Sequence, residues 1–140
     1  MRSFSLFVVF AVLAALGAVV QAQSTFDCPC FDDNMDFTDS YTNSCVGPRS
    51  GDYTIQSIKW QMVDSSTFIY NSYSVQVTCD GVNVGDLYNG RGNDSNTVSV
   101  GTKCSNYGAE VFCRNSVLDC SPLELRVDSS VYCTGTACSC

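Results

Sequence analysis

Hydrophobic and polar residues alternate along most of the chain after position 50, which is the pattern of β-strands with one buried face. Tyr53 and Ile55 share one face, and Ile58, Trp60 and Met62 continue the alternation one residue out of phase. A one-residue shift of this kind predicts a β-bulge near residues 56–57. Because Trp60 shares its face with apolar neighbours, we expect its ring in the core.

Short alternating segments recur through the rest of the chain. They lie at 73–79, 82–84, 98–100, 111–113, 123–127 and 131–133. Asp80-Gly81 separates the first two, and an Asp-Gly pair between alternating apolar residues predicts a tight hairpin. Seven or eight short strands separated by turns predict an all-β, disulfide-rich antiparallel β-sandwich, or alternatively a barrel.

The segment 24–50 differs from the rest because it is acidic, polar and not periodic. We expect it to be an irregular N-terminal segment. Asp32, Asn34 and Asp36 have the spacing that opens a calcium-binding loop, but Phe37 and Asn43 stand where that loop needs Gly and Glu. The sequence therefore predicts no EF-hand. The three residues are candidates for a weak Ca²⁺ site, with a solvated acidic loop as the alternative.

Residues 1–22 have the pattern of a secretory signal peptide. Arg2 gives a short positive region, an apolar run follows over 6–20, and Ala22 ends a cleavage site of small residues. The alternative is a membrane anchor, but an anchor helix needs about 20 apolar residues. We therefore predict cleavage after Ala22, a single secreted cysteine-rich β domain over 23–140, an extracellular location and no membrane span after cleavage.

Ten cysteines follow the predicted leader, and an even number in a secreted chain predicts five disulfides. They are Cys28, Cys30, Cys45, Cys79, Cys104, Cys113, Cys120, Cys133, Cys138 and Cys140. A zinc site is the alternative for the two Cys-x-Cys pairs, but zinc motifs favour wider spacing. Residues i and i+2 of a strand share a face. The two Cys-x-Cys pairs are therefore expected to bridge each other, or to join the two ends of the domain to its body.

Charge and composition exclude several function classes. The chain has 14 acidic and seven basic residues, a net charge of −7 and no histidine. Nucleic-acid binding needs clustered Lys and Arg, so we expect no nucleic-acid partner. Without histidine, mechanisms that use an imidazole base are excluded within this chain. No nucleophile or phosphate-loop motif is present. We therefore predict no enzymatic activity and no cofactor beyond the weak Ca²⁺ candidate.

Candidate ligand-binding residues gather where Asn and Gly interrupt the alternation. Tyr88, Asn89 and Arg91 lie in a predicted loop from Asp86 to Asp94, and Tyr107 lies beside Gly108 in another. Exposed aromatic rings stack on sugar faces, and amide groups bind sugar hydroxyls. The glycine-rich stretch 89–95 is interpreted as a hairpin tip.

The stretch 89–95 also carries an N-x-S sequence. Asn93-Asp94-Ser95 predicts N-glycosylation of Asn93 in a secreted protein. A glycan at Asn93 would cover the predicted loop and would make the domain a glycoprotein rather than a glycan reader.

Several short motifs occur in an order that resembles pherophorin-type domains. The motifs are Phe26-Asp27-Cys28-Pro29-Cys30, Ile58-Lys59-Trp60, Tyr73-Ser74-Val75-Gln76-Val77 followed by Gly81-Val82-Asn83, Gly108-Ala109-Glu110-Val111-Phe112-Cys113, and Cys120-Ser121-Pro122-Leu123-Glu124. Pherophorins are extracellular-matrix glycoproteins of volvocine algae. The resemblance implies a role in the extracellular matrix and assigns no site residue.

Three function classes remain from the sequence. The first is an extracellular recognition or matrix domain that binds glycans or surface proteins. The second is a secreted signal or effector that acts on a cell-surface receptor. The third is a small enzyme, for which carboxylate pairs are available but no motif is found. Binding to glycans would favour the first class, and saturable binding to a protein receptor the second.

Overall fold

The computed structural model describes residues 23–37, 40–49, 51–67, 69–114, 120–134 and 138–140. The predicted signal peptide, residues 1–22, lies outside them. All regular structure in the described residues is strand. The strands are β1 (Gln23–Phe37), β2 (Ser40–Val46), β3 (Asp52–Asp64), β4 (Ser72–Cys79), β5 (Val82–Arg91), β6 (Asp94–Thr102), β7 (Asn106–Cys113) and β8 (Cys120–Thr134). No helix in this described part has the length and apolarity needed to cross a membrane.

The strands form two antiparallel sheets of four strands. The first sheet has the order β1-β8-β3-β6 and the second has the order β2-β7-β4-β5. The sheets are open rather than closed into a barrel, so the prediction of a β-sandwich is confirmed and its alternative of a barrel is wrong. Each sheet turns its apolar side chains inward, as the alternation in the sequence requires.

Two local predictions are confirmed in detail. The pairing of β3 with both β6 and β8 shifts register between Ile55 and Ser57, which is the predicted bulge. Asp80 and Gly81 both have positive φ, of 50° and 77°, and connect β4 to β5. Positive φ at both central residues is the geometry of a type I′ hairpin turn, which matches the right-handed twist of the strands.

The prediction of an irregular N-terminal segment is wrong. Gln23–Phe37 forms β1, which pairs with β8, and Ser40–Val46 forms β2, which pairs with β7. Polar side chains do not prevent strand formation here, because each of these strands is supported by one neighbour through backbone hydrogen bonds and lies at the edge of its sheet. The register of β1 also shifts near Met35, which interrupts the alternation along this segment.

The core lies between the two sheets and is apolar and aromatic. Trp60 is fully buried, as predicted, and its ring lies edge-on against the rings of Tyr73 and Tyr88, with centroids 6.5 and 5.1 Å away. Edge-to-face pairs at this separation are favourable because the positive edge of one ring meets the negative face of the other. Trp60 belongs to the first sheet and both tyrosines to the second, so this aromatic group packs the two sheets together.

All ten cysteines are paired, so the prediction of five disulfides is confirmed. The pairs are Cys28–Cys140, Cys30–Cys45, Cys79–Cys104, Cys113–Cys120 and Cys133–Cys138. Two of them, Cys30–Cys45 and Cys113–Cys120, join a strand of the first sheet to a strand of the second. Cys28–Cys140 joins the two Cys-x-Cys motifs by one disulfide. The other cysteine of each motif pairs elsewhere, Cys30 with Cys45 and Cys138 with Cys133.

Candidate functional site

Strand alternation places one group of polar side chains on the outer face of the second sheet. Arg91 of β5 is in register with Ser72 of β4, whose carbonyl accepts the backbone N–H of Arg114 at 2.8 Å. Two residues further along, Asn89, Ser74 and Phe112 form the next row across β5, β4 and β7. Neighbouring strands are about 4.8 Å apart, so the Cα atoms of the two arginines are separated by roughly 10 Å.

These rows surround an open depression of about 450 Å³. Its lining residues are Ser72, Asn89, Gly90, Arg91, Asp94 and Arg114. Asn89, Arg91 and Arg114 are all exposed. The depression therefore presents two guanidinium groups and a side-chain amide to solvent, which are groups that bind hydroxyl and oxyanion oxygens.

Asn89 organises the depression through its side-chain oxygen. Asn89 Oδ1 accepts a hydrogen bond from Ser74 Oγ at 2.7 Å and another from an Arg114 Nη at 3.1 Å. Both lone pairs of this oxygen are thus in use. The amide nitrogen can donate two hydrogen bonds, and it donates none to another residue in the described part of the chain, so it is available to a ligand. Asn89 also holds the Arg114 guanidinium beside it.

Tyr88 lies on the opposite face of β5 from Asn89, because successive strand residues point to opposite sides. Its half-buried ring packs against Trp60, and its hydroxyl donates to Asp94 Oδ2 at 3.0 Å. This hydrogen bond raises the pKa of Tyr88 above its usual range. The prediction that Tyr88, Asn89 and Arg91 lie in a loop is wrong, because β5 continues to Arg91. Tyr88 supports the site from the inner side, where it holds Asp94.

Tyr107 does not belong to this surface. It lies in β7 rather than in a loop, its side chain is 2% exposed, and its hydroxyl donates to the backbone carbonyl of Cys28 in the first sheet. The prediction that Tyr107 is exposed in a loop is therefore wrong. Its neighbour Gly108 suggested a turn. That glycine is instead required inside the strand, because an added Cβ would lie 2.0 Å from the Asn43 carbonyl oxygen.

The predicted hairpin tip at 89–95 is a corner between the sheets rather than a hairpin. β5 belongs to the second sheet and β6, which follows it, to the first. Asn93 is exposed at this corner, and its Oδ1 accepts the backbone N–H of Asp64 at 2.7 Å. Glycosylation modifies the amide nitrogen and leaves this oxygen in place. Asn93 stays a predicted glycosylation site.

A buried carboxylate that the sequence analysis did not select organises the chain beside the corner. Asp64 accepts hydrogen bonds from the backbone N–H groups of Ser66 and Asn71, at 3.0 and 2.6 Å, and from the Asn71 side chain at 3.2 Å. It thereby fixes the connection between β3 and β4. The signal in the sequence is Asp64-Ser65-Ser66, because Asp commonly bonds the backbone two residues on.

Two aromatic residues, Phe112 and Tyr70, lie near residues of the depression without lining it. Phe112 is partly exposed on the outer face in the same row as Asn89. Tyr70 is 53% exposed and lies over Gly92, which follows Arg91. Sequence reasoning missed Phe112 and Arg114, although their spacing of two within the segment 111–114 already places them on one face.

Three buried tyrosines donate their hydroxyl groups to backbone carbonyls. They are Tyr53 to Cys104 at 2.7 Å, Tyr73 to Gly92 at 2.7 Å, and Tyr107 to Cys28. Burial is the main cause that raises the pKa of each phenol above 10. The folded protein therefore holds these protons at a pH where the unfolded chain releases them.

We expect the free energy of unfolding to fall as the pH rises above about 10. Below the tyrosine pKa of the unfolded chain, the hydroxyls are protonated in both the folded and the unfolded state, so they cause no change of stability with pH. Above that pKa the unfolded state binds fewer protons than the folded state, so the free energy of unfolding declines as the pH rises. Tyr73→Phe should reduce the slope between about pH 10 and 12, measured by denaturant unfolding at fixed pH. An unchanged slope in the variant would contradict the assignment to Tyr73.

The calcium candidates Asp32, Asn34 and Asp36 lie within the span of β1, but their side chains are outside the described residues. In the described part of the chain, no group of three or more His, Cys, Asp or Glu side chains has the arrangement of a metal site. The weak Ca²⁺ site stays a prediction, as does the absence of a cofactor.

No family model and no curated protein matches this chain. The resemblance to pherophorin-type domains therefore stays a prediction. One similar solved structure is that of dimeric latent PorU from Porphyromonas gingivalis, with a TM-score of 0.42 and 8% identity over 84% of this chain. The match spans 14% of the PorU chain.

Proposed function

We propose that this protein is a secreted, disulfide-stabilised extracellular recognition domain without catalytic activity, and that it binds glycans on the outer face of its second sheet. One observation carries the proposal. Asn89, Arg91 and Arg114 present hydrogen-bonding groups around an open depression, and the Phe112 ring lies in the same row as Asn89. Sugar rings have an apolar face and a rim of hydroxyls. An aromatic ring is complementary to the apolar face, and the amide and guanidinium groups are complementary to the hydroxyls.

The scaffold supports an extracellular role. Five disulfides are typical of proteins in oxidising compartments, because reducing conditions in the cytosol keep thiols free. A rigid sheet also helps a protein to bind ligands with few strong contacts, such as sugars. Little conformational entropy is lost on binding when the site is already formed. The residues that line the depression come from β4, from β5 and from the first residue of β6, and Arg114 follows β7 directly.

Two single substitutions test the glycan site. Asn89→Ala removes the amide donor and Phe112→Ala removes the ring, so each should weaken glycan binding by about tenfold, or about 1.4 kcal/mol. A glycan array identifies the ligand, and calorimetric titration then gives the affinities. Asn83→Ala is the matched control, because Asn83 is exposed on the same strand but outside the depression.

The result that would overturn the proposal is equal affinity in all three variants and the parent protein. Unfolding curves recorded alongside separate lost binding from lost folding. The protein should be measured with and without the glycan at Asn93, if one is found by mass spectrometry. Stronger binding after its removal would show that this glycan covers the depression.

A protein receptor is the second candidate partner, and a separate feature favours it. Val82 and Leu87 are 66% and 51% exposed on β5, which is an edge strand. Leu87 belongs to a bulge in which residues 85–87 lie opposite Gln76 alone, and Gln76 Nε2 donates to the carbonyl of Gly85 at 3.2 Å.

Leu87→Asp should abolish saturable binding to cells if this edge contacts a receptor. Glycan binding at the depression should be unaffected.

A further inference from the structure

The charges around the depression differ from those of the whole chain. The sequence has 14 acidic and seven basic residues, yet Arg91 and Arg114 both lie on the rim of this one depression. Arg91 pairs with Ser72 on one side, and Arg114, directly after β7, bonds the Ser72 carbonyl on the other, so we infer that the two side chains leave the same face of the sheet. Among the described residues, the one ion pair joins Arg126 to Glu124, and neither rim arginine takes part in it.

Asp94 is the acidic side chain that lines the depression, and both of its oxygens are occupied. Its Oδ2 accepts the Tyr88 hydroxyl at 3.0 Å, and its Oδ1 accepts the backbone N–H of Ser95 at 2.9 Å. Among the described residues, Asp94 makes no ion pair with either arginine. Two guanidinium groups against one carboxylate leave the depression with a net positive charge.

The guanidinium group has a geometry that selects its ligand. Its planar N–H groups match the two oxygens of a carboxylate or sulfate and form paired, charge-assisted hydrogen bonds. Asn89 already orients Arg114 through the 3.1 Å hydrogen bond, and the other guanidinium N–H groups of Arg114 bond no side chain within the ranges that the structure describes. A neutral sugar would leave most of these donors paired only with water.

We propose that the ligand of this depression is an anionic glycan, and that Arg91 and Arg114 bind its carboxylate or sulfate oxygens. The inference rests on the proposed glycan-binding function and specifies the chemical class of the ligand. Uronate and sulfate groups share the chemistry of an oxyanion on a sugar ring. The depression attracts an oxyanion although the whole chain has a negative net charge. Acidic residues further than about 8 Å from the bound oxyanion repel it only weakly, because salt at physiological concentration screens their charges.

Matched pairs of oligosaccharides test this inference by calorimetric titration. The probes are a galacturonate oligosaccharide and its methyl ester, and a sulfated galactan oligosaccharide and its desulfated form. We expect at least one anionic probe to bind at least about tenfold more tightly than its neutral counterpart. The preference should disappear when salt is raised from about 0.1 M to about 1 M, where the screening length falls from about 10 Å to about 3 Å.

Charge-removing variants locate the preference. Arg91→Gln and Arg114→Gln should each lower the ratio of the affinity for the anionic probe to the affinity for its neutral counterpart by about tenfold, because the amide keeps hydrogen-bonding capacity but removes the charge. Arg126→Gln is the matched control, because it removes the same charge from an exposed arginine of the first sheet. Arg114→Lys keeps the charge but loses the planar fork, and should bind the anionic probe with an intermediate affinity.

The outcomes separate this inference from the proposed function. If neutral and anionic probes bind equally and Asn89→Ala weakens both, the glycan site stands and the inference is wrong. If no probe binds, or if Asn89→Ala changes nothing, the proposed function itself is wrong. If Arg126→Gln lowers affinity as much as the rim variants, the preference arises from overall charge and the assignment to Arg91 and Arg114 fails.

Discussion

Replacing Cys28 and Cys140 together by alanine should lower the free energy of unfolding by about 4 to 5 kcal/mol. This disulfide spans 112 residues. In the chain-entropy account, a cross-link stabilises the native state by restricting the unfolded chain, and the effect grows with the length of the closed loop. The double variant leaves no free thiol, so disulfide exchange does not complicate the measurement, which is denaturant unfolding followed by circular dichroism.

The pair Cys133 and Cys138 provides the matched control. It also joins a buried cysteine of a strand to the C-terminal residues, but it spans only five residues. The same account predicts a loss of about 2 kcal/mol for the corresponding double alanine variant. Equal losses in the two double variants would show that local packing, rather than restriction of the unfolded chain, determines how much these disulfides stabilise the fold.

Tyr107→Ala should destabilise the protein by about 3 to 5 kcal/mol, because it empties a large buried position between the sheets. Tyr107→Phe keeps the ring and removes only the hydroxyl that bonds the Cys28 carbonyl, so a loss of about 1 kcal/mol is expected. The difference between the two variants separates packing from hydrogen bonding. A loss below about 0.5 kcal/mol in Tyr107→Ala would contradict the buried position of the ring.

β3, β4, β7 and β8 could be predicted because one face of each is buried, and the alternation of apolar and polar residues records which face. β5 and β6 are largely exposed, and they could be predicted only over the short segments 82–84 and 98–100. The bulge near Gln56 and the turn at Asp80-Gly81 could also be predicted, since each leaves a local signature. β1 and β2 could not. They lie at sheet edges, where backbone pairing with a single neighbour holds the strand and the side chains need not alternate. The pairing of the cysteines depends on which strands lie next to each other, so it could not be predicted from the sequence either.

The candidate site could be predicted only in part. Residues that are close in sequence do not always share a surface, because neighbouring residues of a strand point to opposite faces. Within β5, alternation separates Asn89 and Arg91, which face outward, from Tyr88, which faces the core. Arg114 joins the site through pairing of β7 with β4, which requires knowledge of strand order. Tyr107 was misplaced because Gly108 suggested a turn, whereas this glycine allows the close approach of β2.

Amide chemical shifts recorded during titration with the anionic oligosaccharide that binds most tightly test the central claim most directly. The account predicts perturbations that saturate together and are confined to the outer face of the second sheet. The expected amides are those of Ser72, Ser74, Asn89, Arg91, Phe112 and Arg114. Perturbations centred on the first sheet, or on the β5 edge around Leu87 with none at Asn89 and Arg114, would contradict it.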